Sequence, residues 1–102
     1  MTGRMKTMSN KTKAQIARII GLLQKEGQMH VRGISRALEI HPMTVSRLID
    51  EYLSPFLEIN EISEFGLKAK LVKIREDKEN VTIEDVMKYL EVKKKIRDNK
   101  TY

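Results

Sequence analysis

The sequence predicts a mainly helical α+β domain: three helices forming a core, a two-stranded β-hairpin and a closing C-terminal helix. Three observations carry this. Apolar residues recur at helical spacing from Lys11 to Leu53. From Phe56 to Glu76 the pattern changes to two β-branched runs around a glycine, and helical spacing returns after Asn80. At 102 residues the chain has room for one domain of ordinary size, about 100–150 residues.

Residues 1–10 are polar, Met-rich and unpatterned and read as a flexible basic tail, leaving 11–81 as the domain proper and 82–102 as a C-terminal helix. The first helix, Lys11 to Glu26, gathers Ile16, Ile19, Ile20 and Leu23 on one face and stops at Gly27. Gly21 inside it costs about 1 kcal/mol relative to Ala, a cost that close approach of another backbone would explain. Gln28–His30 is long enough only for a strand stub, and residues 32–38 form a short second helix burying Ile34, Ala37 and Leu38.

Proline suits the first helical position, where its missing N–H is not needed. Pro42 therefore opens the third helix with His41 flanking it, and the helix runs to about Leu53, burying Val45, Leu48, Ile49 and Tyr52 before Ser54-Pro55 ends it. The runs FLEINEIS and KAKLVKIRE, joined around Glu64–Leu67 through Gly66, form the hairpin. Asp77–Asn80 is a turn, and Thr82 with Asp85 three residues on has the form of a capping box. In the last helix Ile83, Val86, Met87 and Leu90 make a stripe that docks on the domain. Tyr89, Val92 and Ile96 make a second, offset stripe with no evident partner within the chain, the kind of surface that pairs with another copy.

The formal net charge is +6 and unevenly spread. Residues 1–13 hold four Lys or Arg and no acid, and a basic segment at 68–75 follows an acidic one carrying Glu58, Glu61 and Glu64. One face meeting a polyanion would give this distribution; a surface that only keeps the chain dissolved is the other reading. The richness in Lys, Glu and Ile points toward a thermophilic source. With no Cys, disulfides, thiolate metal sites and cysteine nucleophiles are excluded together. No apolar run reaches the roughly 20 residues of a membrane span, and the first residues lack a secretory signal, so a cytoplasmic location is expected. His30 and His41 are the only histidines, the glycines stand singly, and the acid pairs Asp50-Glu51 and Glu84-Asp85 are adjacent on helices and so diverge. Neither a catalytic constellation nor a metal or cofactor site is expected.

Residues 34–49, ISRALEIHPMTVSRLI, resemble the helix-turn-helix of the winged helix-turn-helix transcription regulators of the MarR, ArsR and Lrp type, in their archaeal form. The family pattern of an apolar and a small residue, a Leu-Gly-apolar turn and Thr-Val-Ser-Arg falls on Ile34-Ser35, Leu38-Glu39-Ile40 and Thr44-Val45-Ser46-Arg47. Ser35 stands where Ala is usual, and Glu39 where Gly normally serves a left-handed turn residue, so the turn either takes another geometry or carries strain. The motif covers about 20 residues, and a looser likeness runs over 14–98. The resemblance implies a winged helix, a homodimer on double-stranded DNA, a role in transcription regulation, a recognition helix at about 42–53 in the major groove, and a wing at about 57–75 on the backbone or minor groove.

Beside the resemblance stands the chemistry. A major groove admits one α-helix, whose first residues reach the base edges. Here these are Pro42, Met43, Thr44, Ser46 and Arg47, with His41 either a contact or only a helix start. Met43 suits a thymine methyl, the two hydroxyls a phosphate or base edge, and Arg47 a guanine or a phosphate. Arg32 and Arg36 on the second helix suit phosphates, or are solvated surface. Lys68 and Lys70 share strand parity near the hairpin tip and suit the DNA backbone, while lysine also guards sheet edges. A second reading is a protein-interaction winged helix within transcription or replication machinery, favoured by the acidic segment and by the Tyr89, Val92, Ile96 stripe. An RNA-binding domain lacks its aromatic stacking platform.

Overall fold

Ser9 starts the first helix. Its Oγ accepts the Thr12 amide at 3.1 Å, filling one of the donors a helix start leaves open, and α1 then runs from Asn10 to Glu26. The chain is seen in a computed structural model that describes residues 9–64 and 66–99, positions 64, 67 and 94–99 by backbone alone. Two residues assigned to the tail therefore belong to the helix and its cap; residues 1–8 lie outside the described residues. At the far end Gly27 adopts φ +88° and donates to the Leu23 carbonyl at 2.8 Å, a conformation open to glycine at little cost. Ile16, Ile19, Ile20 and Leu23 are buried as one stripe. Gly21 is on the exposed face, and a Cβ there would meet nothing within 4 Å. The close backbone approach suggested for it does not occur.

After α1 come β1 (Gln28–His30), α2 (Val31–Leu38) and α3 (Pro42–Leu48). Strands β2 (Leu57–Glu64) and β3 (Leu67–Ile74) follow, and α4 (Ile83–Asn99) closes the fold. Among the described residues the result is an α+β domain of four α-helices and a three-stranded antiparallel sheet in the order β1-β3-β2. The sheet has one strand more than a hairpin, because the stub at 28–30 pairs with β3, His30 opposite Leu71 and Gln28 opposite Lys73. Strands β2 and β3 pair from Leu57–Ile74 to Glu64–Leu67 across a two-residue turn containing Gly66 at φ +77°, a tight hairpin whose backbone favours glycine. Helix α1 packs on β3, α2 and α4. The core between them includes Ile34, Val45, Leu48, Ile49, Leu53, Val72 and Val86.

Three core assignments shift. In α2 Ala37 is exposed and Ser35 is buried instead. The third helix loosens into a π-turn at Ile49–Leu53, which adds a residue to the turn. The core position one turn on from Ile49 therefore falls to fully buried Leu53, leaving Tyr52 half-buried. In α4 the Thr82–Asp85 capping box forms reciprocally, at 2.9 and 3.3 Å, and Val86 is fully buried. Tyr89, assigned to an unpartnered stripe, has a partner within the chain: its ring meets Phe56 edge-on with centroids 5.8 Å apart, a favoured aromatic geometry. Val92 is exposed, and the Ile96 side chain lies outside the described residues.

The turn between α2 and α3 keeps its left-handed residue although no glycine is there. Glu39 sits at φ 58°, ψ 45°, so the strain alternative is the one realised. Two bonds hold it. The Ile40 amide donates to the Ser35 carbonyl at 3.1 Å, and the buried Ser35 Oγ donates to the Ile40 carbonyl. The Arg18 guanidinium of α1 adds a bond to the Leu38 carbonyl at 3.1 Å. A left-handed non-glycine residue costs about 1–2 kcal/mol, and glycine returns about 0.5–1 kcal/mol of that in unfolded-chain entropy. Glu39→Gly is therefore expected to stabilise the domain by about 0.5–1 kcal/mol and to raise the thermal midpoint by a few degrees in a circular-dichroism melt. An unchanged or lower midpoint would mean that the Glu39 side chain offsets its own strain.

Candidate nucleic-acid interface

Helix α3 is positioned from both ends. At its start His41 Nδ1 accepts the Met43 amide at 3.0 Å, which leaves Nε2 as the protonated nitrogen of the neutral ring, and Pro42 occupies the first turn. On its inner side Val45 and Leu48 are fully buried. The opposite side is therefore turned outward: Met43 is 76% exposed and Arg47 is exposed beside half-buried Ser46.

The hairpin faces the same space. Pairing puts Lys68, Lys70, Val72 and Ile74 on one side of β3. Val72 is fully buried, so Lys68 and Lys70 continue the inward face past the end of the core toward the tip. Between this stretch, α2 and the start of α3 lies a cleft of about 940 Å³. Arg32, Arg36, Pro42, Met43, Ser46, Arg47, Lys68 and Lys70 all line it. His41 and half-buried Thr44 do not; His41 is engaged as the helix cap.

Five cationic side chains, from α2, α3 and β3, thus converge on one cleft, against two carboxylates, Asp50 and Glu51. The sequence reads those two acids only as an adjacent pair that diverges on a helix; both line the cleft. Glu51 Oε1 lies 3.4 Å from Arg47 Nη1, a pairing that the four-residue separation on a helix signals. On the hairpin the basic strand is partly answered by its neighbour: Glu58 pairs with Lys73 at 3.7 Å and Glu61 stands opposite Lys70. Lys68 stands opposite Ser63, so no acid is its directly opposite partner in the ladder.

Among the described residues no group of three His, Asp or Glu is placed to hold a metal ion, and no helix is long and apolar enough to cross a membrane. Searches against protein-family models and curated proteins give no match for this chain.

Proposed function

We propose that this chain is a winged-helix protein that binds double-stranded DNA sequence-specifically, as a regulator of transcription. Helix α3 with its π-turn, about residues 42–53, enters the major groove, and the β2–β3 hairpin lies on the backbone or minor groove. One observation carries the reading: Arg32, Arg36, Arg47, Lys68 and Lys70, from three separate elements, share a cleft with the exposed start of a helix. Cations gathered from distant parts of a chain repel one another, and a polyanion is the ligand that turns their convergence into affinity. The exposed Met43 and Arg47 supply apolar and bidentate contacts suited to base edges.

Pairing of two copies belongs to the same proposal. Its surface is the outer side of α4 at Val92, 54% exposed; Tyr89, packed on Phe56, contributes at most its rim. The second reading, a protein-interaction module, draws on the exposed Ile62 of β2 and on Val92.

Selection from a random duplex pool at near-physiological salt tests both. An enriched palindrome with half-sites about one helical turn apart supports the DNA reading and the dimer together. Arg47→Ala is expected to lose about tenfold or more on the enriched duplex and less than about threefold on mixed-sequence duplex, because a bidentate guanine contact is worth about 1–3 kcal/mol of discrimination. Binding that is salt-insensitive and enriches no sequence would favour the protein-interaction module.

A further inference from the structure

A cleft suited to a polyanion carries two carboxylates that phosphates would repel, and one of them touches the side chain best placed to read a base. Glu51 Oε1 is 3.4 Å from Arg47 Nη1, and both side chains are about half exposed (52% and 51%). A pair so open to water adds little to the stability of a fold.

The backbone sets the pair up. Arg47 ends in the last turn of α3 and Glu51 belongs to the π-turn that follows. The core side of that turn is fixed by Ile49 and Leu53, both buried, which directs Asp50 and Glu51 to the cleft. A guanidinium has five N–H donors in a rigid fork. Glu51 engages one nitrogen and leaves the others free, while a long arginine side chain otherwise loses substantial rotamer freedom on docking to a base.

We propose that Glu51 is a positioning residue for Arg47. Its carboxylate orients the guanidinium toward a guanine edge, and its negative charge keeps phosphates from capturing the same group, so sequence selectivity rises at the expense of general affinity. The inference rests on the DNA-binding reading of the cleft.

The test uses the full chain, the duplex most enriched from a random pool, and copies of it with single G·C pairs changed to A·T. The relevant guanine is the one at which Arg47→Ala relaxes the preference. At that position Glu51→Ala is expected to reduce discrimination from about tenfold to about twofold, and to raise affinity for mixed-sequence duplex about two- to fivefold by removing one negative charge. Glu51→Gln, which keeps an acceptor oxygen but not the charge, should retain part of the discrimination and show the same gain of about two- to fivefold on mixed-sequence duplex. At base pairs where Arg47→Ala leaves the preference intact, Glu51→Ala should leave it intact as well, which a merely structural role or a direct base contact by Glu51 would not give. Melting curves should match the parent for every variant. Undiminished discrimination in Glu51→Ala at the guanine that Arg47 reads, or an equal loss at base pairs that Arg47 does not read, overturns the role of Glu51 alone. A parent chain that enriches no duplex overturns the DNA reading, and this inference with it.

Discussion

Lys68→Ala/Lys70→Ala is expected to weaken binding to mixed-sequence duplex about 30-fold at 0.15 M salt and to flatten its salt dependence. Each phosphate neutralised contributes about 0.9 to the slope of log K against log salt. Two lost contacts should therefore make the slope shallower by about 1.8, which at 0.15 M salt amounts to roughly one and a half decades of affinity relative to 1 M. The two lysines are not equal. Lys70 faces Glu61 across the ladder, whereas Lys68 faces Ser63 nearer the tip, so Lys68→Ala alone should account for the larger share. Both positions lie beyond the buried part of β3, and substitutions there should move stability by less than about 0.5 kcal/mol. Fluorescence anisotropy titrations at four or five salt concentrations read the slope directly. A double variant with the parent slope would mean that the hairpin does not lie on DNA, whatever α3 does.

The uneven weight of these two lysines shows what a single strand of sequence hides. Strand parity alone put Lys68 and Lys70 on one face, and pairing agrees; which acid stands opposite each depends on register, set by a turn whose length the sequence left loose around Glu64–Leu67. The same holds elsewhere. Pro42 announces the start of α3 because its chemistry is local, and the Thr82–Asp85 box is equally local. Residues 28–30 announce a strand stub and form one, but that the stub joins the hairpin as a third strand depends on β3 alongside it, which three residues cannot signal. Tyr89 looked unpartnered because Phe56, thirty-three positions earlier and in a short 3₁₀ turn, carries no periodic signal. Leu53, four residues on from Ile49, is fully buried in the π-turn and Tyr52, three residues on, is half-buried; both spacings fit a helical repeat, so periodicity alone does not choose between them. Ser35 stands where alanine is usual, and in the folded chain its hydroxyl bonds the Ile40 carbonyl and helps hold Glu39 left-handed. Five cations in the cleft were legible as charge, but the acids beside them were set aside as adjacent helix residues, although the Arg47–Glu51 spacing was visible.

Leu48→Ala is expected to cost the fold heavily while leaving the lining of the cleft untouched. Leu48 is the last residue of α3, fully buried, on the side opposite Met43 and Arg47. Truncating a buried leucine removes its transfer energy and leaves a cavity, at about 2–5 kcal/mol, a large part of the roughly 5–15 kcal/mol that holds a domain together. At about 4–8 °C per kcal/mol for a domain near this size, the thermal midpoint should fall by roughly 10–40 °C. Leu48→Met, similar in volume, should cost less than about 1.5 kcal/mol. The functional consequence separates anchoring from contact: assayed well below its own midpoint, Leu48→Ala should bind the enriched duplex within about threefold of the parent, while Arg47→Ala melts like the parent and loses the discrimination. If Leu48→Ala instead melts within a few degrees of the parent, α3 is held chiefly by its neighbours Val45 and Ile49 and its last turn is free to tilt. The Arg47–Glu51 pair would then sit on a movable support, and base selectivity should fall together with the order of that turn.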